Sequence, residues 1–122
     1  MTAFYVFIGG GLGAVLRFFI GKASTLIFNH SLPIGTFIAN LFSCIIVGVC
    51  IYEIGEGKWL GVNLKPLLII GFCGGLSTFS TFSFETLELI KSGNIVWAVF
   101  NVVFSVLICL LVLYFFSRLK LN

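Results

Sequence analysis

The stretch Gly71-Phe-Cys-Gly-Gly-Leu-Ser-Thr-Phe-Ser-Thr-Phe-Ser-Phe-Glu85 decides how this chain is read. It places glycines, hydroxyls and two phenylalanines three residues apart inside a long apolar segment, about Pro66 to Ile90. That segment has the roughly 20 residues needed to cross about 30 Å of hydrocarbon. Small and hydroxyl side chains weaken the drive to insert, so they are poor choices for a surface facing lipid. The stretch is expected to line something polar. Gly71, Gly74 and Gly75, followed by Ser77, Thr78, Ser80, Thr81 and Ser83, also predict that the helix breaks here. A broken membrane helix is tolerated where its freed carbonyls line a cavity or hold an ion.

The rest of the chain is equally apolar. Its 122 residues are 60% hydrophobic and 9% charged, with a mean hydropathy of +1.21. Soluble domains carry charge on about a quarter of their residues. Three further spans are predicted at about Thr2 to Ile20, Gly35 to Tyr52 and Ile95 to Ser117. The expectation is an all-α integral membrane protein of four transmembrane helices, the third broken, forming one domain over residues 1–122. The first span is read as a retained helix, because no basic residue precedes it and its apolar run exceeds that of a signal peptide.

Cys44, Cys50, Cys73 and Cys109 fall inside the spans without a Cys-x-x-Cys pair. They read as small buried hydrophobes, which argues against a thiol oxidase. His30 stands alone in a loop and is taken as a surface residue, and Trp59, in the loop from Glu53 to Lys65, fits an interfacial aromatic belt. There is no internal repeat, nucleotide-binding loop or hydrolase triad, so neither an enzyme nor a nucleic-acid partner is expected. Four short helices leave little room for a pore within one chain, so chains are expected to associate.

With both termini on one side, that side carries Lys58, Lys65, Arg118 and Lys120, against Lys22, Lys91 and the nearby Arg17 on the other. The positive-inside bias is weak. A weak bias permits insertion both ways round, and so an antiparallel pair of identical chains.

Each remaining span has its own signature. Gly9 and Gly13 are spaced as small-xxx-small, and Gly10 and Ala14 repeat the spacing on a neighbouring face, which lets helix backbones approach closely. Arg17 is expected to end the first helix, either reaching to the interface or forming a cationic vestibule for anions, and Lys22 reads as an interface anchor. In the second span Pro33 suits a first helical turn, and Asn40 and Ser43 share a face. Asn40 then serves as glue across a helix interface or lines a wet cavity.

Phe79 and Phe82 would project from nearly one face, either packed in lipid or touching an anion with their positive ring edges. Glu85 is deep enough for a functional acid, whereas Glu88 reads as interfacial. Asn101 and Ser105, at i and i+4, form a polar stripe facing the third span unless Asn101 is shallow and solvated.

Three segments together, Gly9-Gly-Gly-Leu-Gly-Ala-Val-Leu-Arg17-Phe, Gly35-Thr-Phe-Ile-Ala-Asn40 and Gly71 to Ser83, resemble the Fluc/CrcB fluoride-channel family across all four helices. The resemblance implies a fluoride-selective channel that passively exports fluoride from the cytoplasm across the inner (plasma) membrane and confers fluoride resistance. It implies a dual-topology antiparallel homodimer with two pores, each built from helices of both chains. By similarity, Phe79 and Phe82 meet fluoride with their ring edges and Asn40 donates to it. Ser80, Thr81, Ser105 and Glu85 correspond to the polar track, and Arg17 to a vestibule arginine. A structural Na+ at the dimer centre would take the carbonyls of Gly74 and Ser77 from both chains. Asn101 departs from the aromatic hydroxyl of many members.

The rival is a small multidrug-type proton-coupled antiporter. Such proteins need an acid in their first helix, and this first helix has none. A non-transporting assembly subunit would leave the hydroxyl and asparagine faces unexplained.

Overall fold

In a computed structural model, residues 1–28, 32–54, 58–59 and 62–120 are described. The readings of His30 and of the Trp59 side chain fall outside the described residues.

Helix α1 spans Thr2–Ile27. It runs past the predicted end near Ile20 through a polar last turn, in which the hydroxyls of Ser24 and Thr25 donate to the carbonyls of Gly21 and Lys22, both at 2.8 Å. Arg17, expected to end this helix, therefore lies well inside it. Helix α2 spans Ile34–Gly48 behind Pro33 and continues as a wider π-helical winding over Val49–Ile54. Its buried residues Gly35, Thr36, Ala39 and Ser43 recur at helical spacing, so a narrow stripe of small residues faces inward. A two-residue antiparallel ladder of β1, Lys58–Trp59, and β2, Val62–Asn63, lies between the second and third spans.

The third span begins as a π-helical segment, Lys65–Cys73, and tightens into the single turn α3, Gly74–Leu76. It breaks at Ser77 and Thr78, both extended, and resumes as α4, Phe79–Lys91. Gly93 closes α4 at a φ of 85°, a left-handed conformation that favours glycine, with the amide of Asn94 bonded to the carbonyl of Leu89 at 2.9 Å. Helix α5 spans Ile95–Lys120. Four apolar stretches long enough to cross a bilayer result: Thr2–Ile27, Ile34–Tyr52, Lys65–Lys91 and Ile95–Leu119.

Glycines weld α1 to the first half of the third span. A Cβ on Gly13 would lie 2.8 Å from the Leu76 amide nitrogen, one on Gly71 2.8 Å from the Val6 carbonyl, and one on Gly75 3.0 Å from the Ala14 nitrogen. Gly9 and Gly10 of α1 thus meet Gly71, Gly10 and Ala14 meet Gly75, and Gly13 meets the backbone of Phe72 and Leu76, so small residues on both helices are in contact, which is how helices bind in a solvent as apolar as they are. Gly71, Gly74 and Gly75, expected to loosen the third span, are all helical, and Gly71 and Gly75 hold it close to α1, while the break falls two residues after Gly75. Leu76 is fully buried at this junction, and large apolar side chains cover the outer surface, as lipid requires.

Candidate functional site

At the break, one side chain replaces a lost helical bond. In a continuous helix the Thr78 amide would bond to the Gly74 carbonyl; here it donates to Asn40 Oδ1 at 2.9 Å. Asn40 Nδ2 reaches the Thr78 carbonyl at 3.5 Å, leaving its second N–H for another acceptor. Ser43, on the same face, donates to the Cys73 carbonyl at 3.4 Å, which also accepts from the Ser77 amide and hydroxyl at 2.9 and 2.7 Å. The shared face predicted for Asn40 and Ser43 thus clasps the break from both sides.

Thr78 caps α4, its hydroxyl accepting from the Thr81 amide at 3.2 Å and lying 3.4 Å from Ser80 Oγ. Phe79 and Phe82 follow in the first turn with ring centroids 6.2 Å apart and planes tilted by 36°. Phe79 is 80% exposed, and Ser80 and Ser83 are exposed as well, so this half-helix turns aromatic and hydroxyl groups away from its own chain.

A cavity of about 800 Å³ opens beside α4 and is lined by Arg17, Lys22, Thr36, Thr81 and Glu85. Glu85 Oε1 accepts from the Thr36 hydroxyl at 2.8 Å. Glu85 Oε2 and Arg17 Nε are buried and find no partner among the described residues. Arg17 thus brings a buried donor with no partner among the described residues to the edge of this cavity, well inside α1. Glu88, by contrast, is exposed and pairs with Lys91 at 3.7 Å, as expected of an interfacial pair.

On the far side of α4, Asn101 and Ser105 are buried at 9% and 6% exposure. Ser105 donates to Asn101 Oδ1 at 3.4 Å, Asn101 Nδ2 donates to Thr86 Oγ1 at 3.0 Å, and Thr86 donates to the Phe82 carbonyl at 2.8 Å. The predicted stripe facing the third span is therefore present, and Asn101 is buried within the chain. Asn101 and Ser105 border a second, smaller cavity of about 140 Å³ with Phe37, Phe104 and Trp97. Within one chain, Arg17, Thr81 and Glu85 meet around one space, Asn40 sits at the break and Ser105 lies apart.

Thr36 and Thr86 escaped the sequence reading. Thr36 lies four residues before Asn40 and so on its face, a signal that was there to use; Thr86 shows only as one more hydroxyl after Glu85.

Among the described residues, no three His, Cys, Asp or Glu side chains gather to hold a metal. The break offers main-chain oxygens instead. The Gly74 carbonyl has lost its helical donor to Asn40, Ser77 is extended, and a Cβ on Gly74 would meet nothing in this chain. Such oxygens suit a hard cation.

A bundle of four spans with a broken third helix, its break bonded by a side chain from another span and an open cavity beside it, defines a small helical membrane protein. The profile of the family described as CrcB-like protein, Camphor Resistance (CrcB), matches residues 4–116. The chain is 40% identical over 115 residues to a protein of Shewanella pealeana called fluoride-specific ion channel FluC, covering 94% of this chain and 92% of that one. A protein of Campylobacter fetus with the same name is 41% identical over 115 residues, covering 93% and 89%, and one of Klebsiella pneumoniae is 41% identical over 102 residues, covering 84% and 80%. The chain belongs to the CrcB family.

Proposed function

We propose that the chain is a fluoride-selective channel, in bacteria a multi-pass protein of the inner membrane, that lets fluoride leave the cytoplasm passively and so confers fluoride resistance. Family membership over nearly the whole chain supports the choice of ion. Within the molecule, the observation that carries the reading is the break tied to Asn40, which starts α4 with adjacent Phe79 and Phe82 rings and outward hydroxyls.

Hydrogen fluoride enters cells as a neutral weak acid and ionises in a near-neutral cytoplasm, so a passive leak lets the negative interior expel the anion. Fluoride is small and strongly hydrated, and a pore must replace its water with donors. Asn40 has an uncommitted N–H, Ser80 and Thr81 bring hydroxyls, and the ring edges of Phe79 and Phe82 offer weak positive charge without a deep trap. Arg17, lining the larger cavity, would raise the local anion concentration. Glu85, held by Thr36, and Ser105 border the pathway rather than donate to the ion. A channel of this kind needs no catalytic residue.

Exposed Ser80 and Ser83 would be costly against hydrocarbon, and a second copy in antiparallel orientation would cover them, with two pores per dimer. The carbonyls of Gly74 and Ser77 from both copies would then hold a central sodium ion, whose charge ties the two breaks together. The antiporter reading is not favoured, because α1 contains no acid.

Growth tests the function. A bacterium stripped of fluoride export should regain growth in millimolar fluoride when it makes this chain, and should not regain it with Phe79→Ile. Equal rescue by both would remove the phenylalanine pair from the mechanism, and no rescue by the natural chain would count against the ion.

A further inference from the structure

Helix α4 is poorly anchored by apolar packing: Leu89 is its buried residue, near its far end. The turn that carries Phe82 is instead tied to α5 by a run of hydrogen bonds pointing one way. Ser105 gives its hydroxyl proton to Asn101, Asn101 gives an amide proton to Thr86, and Thr86 gives its hydroxyl proton to the Phe82 carbonyl. Each hydroxyl has a single proton, so Ser105 and Thr86 cannot donate to an anion while this run is intact. Asn101 and Ser105 are buried at 9% and 6% exposure.

A threonine bonded to the carbonyl four residues back also tilts that carbonyl and bends its helix. We propose that Thr86 and Asn101 are positioning residues for Phe82, setting the direction of its ring through the Phe82 carbonyl rather than touching the permeating ion themselves. This rests on the channel reading for its consequence in transport and on the hydrogen bonds alone for its geometry.

The test uses the full chain in liposomes, with 4-fluorophenylalanine placed at position 82 as a reporter and fluoride efflux measured on unlabelled protein. Thr86→Val keeps shape but removes both bonds; it should shift and broaden the 19F resonance and slow efflux about tenfold, the scale expected for one buried hydrogen bond. Asn101→Leu should do the same, the double variant should be no slower than the slower single, and Thr86→Ser should restore resonance and rate. An unchanged resonance in Thr86→Val, or losses that multiply in the double variant, would overturn the proposal. If Thr86→Val does not fold, Thr86→Cys, which bonds weakly, is read by the same criteria. Should the natural chain carry no fluoride, the channel reading fails but the resonance still decides the positioning role.

Discussion

Asn40 joins sequence to mechanism at the scale of one residue. Its carboxamide takes the Thr78 amide that the helix gives up, and a buried amide left unpaired costs about 1–3 kcal/mol. The break is thus a feature supported from the neighbouring span. That Asn40 needed a partner was legible, since an asparagine in hydrocarbon must find one, but which partner depended on how α2 lies against the third span. Arg17 was misplaced because the first charge was taken as the helix end, whereas the helix continues to Ile27. The Thr36 to Glu85 bond is the matching clasp two turns along α4. Thr36→Val would leave both Glu85 oxygens without a partner among the described residues, so it should lower the thermal unfolding midpoint and slow fluoride efflux about tenfold, with Thr36→Ser near the natural chain. A Thr36→Val protein with natural stability and rate would show that α4 is held some other way.

Two ways of holding a helix divide the third span. Its first half is fused to α1 by backbone contact at Gly9, Gly13, Gly71 and Gly75, and its second half is pinned by side-chain hydrogen bonds from α2 and α5. The rigid half fixes the site in the membrane, and the pinned half presents the phenylalanines. Spacing made the α1 glycines legible as a packing surface. Gly71 and Gly75 were read only as helix weakeners, because one helix's spacing does not reveal which face its neighbour meets. The π-helical windings and the short ladder carry no comparable pattern in the sequence. Gly13→Leu should therefore abolish folded protein, judged by a monodisperse peak in detergent, while Gly11→Leu, whose position meets nothing within 4 Å, should be tolerated. Equal tolerance of both would contradict the close approach.

On the dimer proposal, one chain is an incomplete object. Its four spans and apolar exterior followed directly from hydropathy. The 80% exposure of Phe79 beside exposed hydroxyls followed from no sequence rule, because hydropathy does not say which face of a span is covered by its neighbours. If the dimer is antiparallel, a single cysteine added at the N-terminus of a chain whose own cysteines are changed to serine should be labelled by an impermeant reagent from both sides of the membrane in similar amounts; labelling from one side only would refute that arrangement. The central claim is selective, passive fluoride permeation by this chain alone. Liposomes holding only the purified chain and loaded with potassium fluoride and chloride, read by ion-selective electrodes after valinomycin is added, test it most directly. Rapid fluoride release with chloride retained is expected, and well-folded protein that releases no fluoride, or both anions together, would contradict selective permeation.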